Sequence, residues 1–143
     1  MRACALLAMF VVGSVAGAAD KPVPLVPLDL KDVPTIQPKT GDATKPTEIA
    51  SAEELAKSPL FGAGAAEKLK KSVDFTKEKL VVFAWGGSGR DSVAGATRTA
   101  DTKLTAQFLY TPGLTRDLRQ HFKAFVVPKG AEVKAEKNPR APR

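Results

Sequence analysis

The stretch LVVFAWGGSGRD, residues 80–91, decides how this chain is built. Side chains alternate along a strand, so Leu80, Val82 and Ala84 fall on one face and Val81, Phe83 and Trp85 on the other. Both faces are apolar, which predicts a central strand covered on both sides, one of them by helices. The only tryptophan of the chain closes the run, and three glycines with Ser88, Arg90 and Asp91 follow it. A glycine-rich strand end of this kind has three readings: a phosphate cradle, a nucleophile turn, or the point where a sheet changes direction.

The first two readings fail on particular residues. A phosphate loop needs a lysine followed by serine or threonine after the glycines, and a helix behind them to aim its amides. Neither is expected here, and the spacing also misses the dinucleotide fingerprint. A nucleophile elbow needs glycine two positions either side of the serine; Gly86 fits, but Arg90 stands where the second glycine belongs. Ser88, Asp91 and His121 can be assembled into a triad on paper, yet any chain with one histidine invites that construction. No catalytic role is assigned, and the chain is expected not to be an enzyme. The third reading assigns Gly86, Gly87 and Gly89 to positive φ or close backbone approach at the end of a buried strand. Trp85 then belongs to packing, with a polar partner needed for its indole nitrogen if it is buried.

Outward from this stretch, Ser92 to Thr99 is a weaker strand, and Asp101 with Thr102 turns it into KLTAQFLY, residues 103–110. There Leu104, Ala106, Phe108 and Tyr110 alternate with Lys103, Thr105 and Gln107, a strand with one wet face. TPGLTRDLRQ, residues 111–120, reads as a turn or excursion in which Pro112 and Gly113 are structural. HFKAFVVP, residues 121–128, is another strand, and Ala131 to Ala135 a last edge strand. Upstream, TEIAS opens with a short strand. Ser51 and Glu54 have capping-box spacing ahead of a short helix that Pro59 stops. Ala65, Ala66, Leu69 and Val73 recur at helical spacing as a second amphipathic helix. The fold class is α+β: a small, mostly antiparallel sheet of four or five strands with two short N-terminal helices packed on it.

The organisation around this core is read from composition. Residues 1–19 form a secretory signal, with one arginine, a short apolar run and small residues before the expected cut near Ala18 or Ala19. The only cysteine, Cys4, lies inside it. Residues 20–46 carry prolines at 22, 24, 27, 34, 38 and 46 and read as an extended or disordered linker, which also has the option of lying along the domain or entering a proline-recognising groove. The folded domain covers 47–135 and a disordered basic tail 136–143. The chain has 143 residues and a formal net charge of +7, one less without Arg2. That charge favours anionic partners without naming any. Its basic residues are scattered without interleaved aromatics, so no specific nucleic-acid partner is expected. With one histidine and no cysteine beyond the signal, no metal site and no cofactor are expected. The mature chain has no stretch able to span a membrane.

Two loops hold the candidate binding residues: Arg90 and Asp91 in the first, Arg116, Arg119, Gln120 and His121 in the second. If the loops lie side by side, their guanidinium forks form a charged rim able to grip a carboxylate or phosphate. The order VDF (73–75), Gly86 to Gly89, Pro112 with Gly113, and Pro128 with Lys129 resembles a family of small exported bacterial proteins of the kind found in planctomycetes. More remotely it resembles the C-terminal domain of regulatory subunits of bacterial surface protease complexes. Asp91 stands where the remote family carries an aromatic. The resemblance implies a noncatalytic domain that binds and stabilises an exported protein. The expectation is therefore an exported binding domain, periplasmic or extracellular, with an envelope-associated structural protein or a weak polyanion-binding module as alternatives.

Overall fold

The computed structural model describes residues 21–37 and 41–141, so the expected signal segment lies outside the described residues. In chain order the elements are strands β1 (Val23–Leu25) and β2 (Thr47–Ile49), helices α1 (Ala52–Lys57) and α2 (Ala65–Leu69), and strands β3 (Glu78–Ser88), β4 (Ser92–Ala100), β5 (Lys103–Thr111), β6 (Leu118–Pro128) and β7 (Glu132–Lys137). The class is α+β, with short helices packed on a mainly antiparallel β core. The strands divide into two sheets, ordered β2-β3-β6 and β1-β4-β5-β7, and β7 runs parallel to β5.

The two apolar faces of β3 explain the layering. Val81, Phe83 and Trp85 meet Val93, Ala106 and Phe108 of the other sheet, with Phe125 and Val127 beside them. Leu80 and Val82 face the opposite way, against Leu55 of α1 and Ala65 and Leu69 of α2. The second covering of β3 is thus a whole sheet. Phe83, Phe108 and Phe125 interlock across the gap, with ring centroids 4.9 to 5.9 Å apart, a separation at which tilted and edge-on rings attract. The helix layer is pinned by its cap: Ser51 Oγ accepts from the Glu54 amide at 3.1 Å, and Glu54 reaches back to the Ala50 amide at 2.7 Å. Asp101 and Thr102, at φ 47° and 68°, form the two-residue turn between β4 and β5, the left-handed geometry that tight hairpins require.

The proline-rich segment differs from a free linker. Val23–Leu25 pairs with Thr97–Gly95 on the edge of one sheet. Two residues on, Pro27 bridges Phe125 and the Leu28 amide donates to the Ala124 carbonyl on the edge of the other. The segment therefore straps the two sheets together along one side. Prolines suit this place because an edge strand leaves half its amides without ladder partners. Farther along, Gly62 donates to the Pro34 carbonyl, and Ala43 is buried between the sheets. The C-terminal boundary also lies later than the composition suggests. Strand β7 continues to Lys137, and the Asn138 amide donates to the Tyr110 carbonyl.

Candidate functional site

The chain crosses from one sheet to the other twice at the same end of the molecule. Strand β3 ends opposite the start of β6, Ser88 against Leu118, while β4 begins opposite the end of β5, Ser92 against Thr111. Residues 89–91 and 112–117 are the two crossings, and they lie side by side. WGGSGRD is thus the corner at which the chain changes sheets. None of Gly86, Gly87 and Gly89 has a positive φ, which among the described glycines belongs to Gly64 alone. Close approach is the reason for Gly87: a Cβ there would sit 1.9 Å from Asp91 Oδ2.

Asp91 is 8% exposed, and all its bonds hold the corner. Its Oδ2 accepts from Trp85 Nε1 at 3.1 Å and from the Tyr110 hydroxyl at 2.8 Å, while Oδ1 accepts from the Gly113 amide at 2.7 Å. Burial pushes this carboxyl up, but the three donors outweigh it and hold the group below the ordinary carboxylate value. Burial, followed by the hydrogen bond and charge of Asp91, raises the Tyr110 hydroxyl to about 12. Trp85 stacks on His121, with centroids 4.8 Å apart and planes 14° from parallel. The only tryptophan, tyrosine and histidine of the chain thus gather at one carboxylate.

The second crossing is tied to the first by Ser88 and Asp117. Ser88 Oγ lies 2.6 Å from Thr115 Oγ1 and accepts from the Thr115 amide at 3.1 Å. The Gly89 amide donates to both the carbonyl and the Oδ1 of Asp117, at 3.1 and 3.2 Å. Asp117 Oδ2 takes Arg119 Nε at 2.7 Å. These contacts hold the Asp117 carboxyl down at about 2, Thr115 contributing most, then the Gly89 amide and Arg119.

Around this frame Gly89, Arg90, Thr115, Arg116, Asp117 and Arg119 line a shallow, mostly polar cleft of about 550 Å³. Among the described residues neither Arg90 nor Arg116 pairs with a carboxylate. The cleft thus gathers three guanidinium groups around one carboxylate, that of Asp117, which Arg119 already engages.

Of the six candidate binding residues, the structure brings Arg90, Arg116 and Arg119 into one cleft and sets the other three apart. Asp91 is walled in by Trp85, Tyr110 and Gly113, and both of its oxygens already accept hydrogen bonds within the corner. His121 is half-buried against Trp85, with Nε2 2.7 Å from the Ser88 carbonyl oxygen. Gln120 lies on the far face of β6, beside Gly86. Arg119, Gln120 and His121 are strand residues, because β6 begins at Leu118, earlier than its polar start suggests. Ser88, Asp91 and His121 do not form a relay: Ser88 Oγ is engaged by Thr115, and Asp91 by groups other than the imidazole.

Thr115 is the cleft residue that the sequence reading misses, whereas Asp117 belongs to the same charged run, 116–121, as the candidate residues of the second loop. A usable signal is the spacing of Asp117 and Arg119, two residues apart and therefore on one side of an extended chain. Among the described residues no three potential metal-ligating side chains cluster, and no helix is long and apolar enough to cross a membrane. No protein-family model, curated protein or solved structure matches the chain.

Proposed function

We propose that the chain is an exported, noncatalytic binding domain whose arginine cleft grips an anionic group on a partner protein of the envelope or extracellular space. The observation that carries the reading is the cleft itself, in which Arg90, Arg116 and Arg119 from two crossings stand in one depression whose backbone is held by Asp91, Ser88 and Asp117. Hydrogen-bonded loops of this kind present their charges without first being ordered, which lowers the cost of binding. Export rests on the character of residues 1–19 in the sequence.

The test is capture from envelope and secreted fractions by the wild type and by the double variant Arg116→Glu/Arg119→Glu, at about 50 and 200 mM salt. One stoichiometric partner, held at both salts and lost with the double variant, is expected. A mixture of acidic polymers released by salt would favour the polyanion reading instead. Capture unaffected by the double variant would remove the cleft from the function.

A further inference from the structure

Strand β6 lies at the edge of its sheet, and among the described residues only part of that edge is covered. The strap meets it at Phe125 and Ala124 through Pro27 and Leu28. The ladder between β3 and β6 is unbroken from Glu78–Pro128 to Ser88–Leu118, so backbone groups along β6 alternate strictly in direction. The Ala124 carbonyl points away from β3, toward Leu28. By the same alternation, the N–H and C=O groups of Gln120 and Phe122 point outward too. Among the described residues no backbone or side-chain group bonds to them on that side. Folded proteins commonly cover, shorten or bend such an edge, because it is a template for another strand. Here, among the described residues, the stretch from Leu118 to Lys123 stands open.

We propose that this edge takes up an extended acidic segment of the partner as an additional strand of the β2-β3-β6 sheet; the choice of partner rests on the function proposed above. The side chains of the edge specify the segment. On the helix side are Leu118, Gln120 and Phe122, with Leu118 80% exposed. On the other side are Arg119, next to the arginine cleft and paired with Asp117, and Lys123, whose Nζ donates to the Val93 carbonyl at 3.2 Å, with His121 half-buried against Trp85 between them. An added strand lays alternate side chains against these two rows, and cross-strand neighbours stabilise when apolar meets apolar and opposite charges meet. The matching segment alternates apolar and acidic residues. A second copy of this chain is the wrong occupant, since pairing β6 with β6 brings Arg119 and Lys123 of both copies onto one face, where like charges repel. Main-chain pairing supplies affinity in this mode of recognition, and the alternating side chains supply selectivity.

The experiment uses the purified protein and two labelled ten-residue peptides, one alternating valine and glutamate and one alternating valine and lysine. Gln120→Pro and Leu118→Pro remove outward amide donors at positions where an edge strand tolerates proline, and near-native unfolding midpoints verify that each variant folds. Two such variants allow for the failure of one. The glutamate peptide is expected to bind and to slow hydrogen exchange at the Gln120 and Phe122 amides at least tenfold. Each proline variant should weaken binding at least tenfold, and the lysine peptide should not bind. Failure of the glutamate peptide to bind, or equal binding by both proline variants, overturns the inference. If binding survives the proline variants but is lost in Arg116→Glu/Arg119→Glu, the cleft reading stands and the edge reading falls. If binding is lost in the proline variants while partner capture ignores the double arginine variant, the reverse holds.

Discussion

Trp85 donates its indole N–H to the carboxylate of Asp91, six residues later, across the corner where the chain leaves one sheet for the other. A strand that ends in a buried tryptophan needs an acceptor for that nitrogen, and Asp91 also collects the Tyr110 hydroxyl and the Gly113 amide. One carboxylate therefore fixes both crossings, and through them the positions of Arg90 and Arg116.

Replacing Asp91 by alanine strands three donors in or near the core. The expected loss is about 3 kcal/mol, since orphaned donors cost about 1 kcal/mol or more each. Asp91→Asn should lose about 2 kcal/mol, because its amide nitrogen sets a donor against donors. Urea unfolding followed by Trp85 fluorescence measures both, with no other tryptophan to confuse the signal. A loss under about 0.5 kcal/mol for Asp91→Ala, the scale of an ordinary surface change, would refute the bridging role.

The same carboxylates set the response to acid. Asp117 titrates at about 2 in the folded chain, and Asp91 is also lowered, whereas an unfolded aspartate titrates at about 3.9. Their stabilisation is complete above the unfolded value and is lost as pH falls through the folded ones. Tyr110 shows the opposite sign. Raised from 10.0 to about 12, it stabilises fully below about pH 10 and loses that contribution as pH rises through about 12. The tyrosinate absorbance has a single source, so its midpoint is read directly. Tyr110→Phe should abolish the alkaline loss between these values, and a tyrosinate midpoint near 10 would contradict the buried hydrogen bond.

Gly87 and Gly130 offer a paired test of close approach. A methyl group at Gly87 would meet Asp91 Oδ2 at 1.9 Å and Cγ at 3.0 Å, whereas one at Gly130 would meet nothing within 4 Å. Gly87→Ala should cost about 2 kcal/mol through forced displacement in a packed region. Gly130→Ala should raise stability by about 0.5 kcal/mol by restricting the unfolded chain. Equal effects in denaturant unfolding would argue against the packing described around Asp91.

Much of this architecture is legible in the residues, and the exceptions share a cause. Alternation in 80–85 and 103–110 shows which side chains are inward, and the Ser51 and Glu54 spacing marks a helix start. Alternation says that a face is covered but not by what, so the second sheet over Phe83 is not legible in it. Six prolines before residue 47 argue against a central strand, yet they leave an edge strap open. Asp91 follows Gly89 and Arg90, and reads as part of a charged binding rim because its partners come from positions 85, 110 and 113. Arg119 and Gln120 look like loop residues, yet they extend β6 by pairing with Gly87 and Gly86.

The turn between β4 and β5 carries the last prediction. Thr102 holds φ 68°, where a β-branched side chain crowds its own backbone. The flanking strands pair right up to Ala100 and Lys103, so only two residues close the hairpin and both need left-handed geometry. Asp-Gly meets that need without strain. Thr102→Gly should therefore stabilise the protein by about 1 kcal/mol, the lower end of the cost of a strained backbone, even though glycine adds entropy to the unfolded chain. Thr102→Val, which keeps the branching and loses the hydroxyl, should bring no such gain. The two variants are compared by unfolding midpoint at constant denaturant slope, and a midpoint for Thr102→Gly at or below the wild type would show that the turn is not strained at this residue.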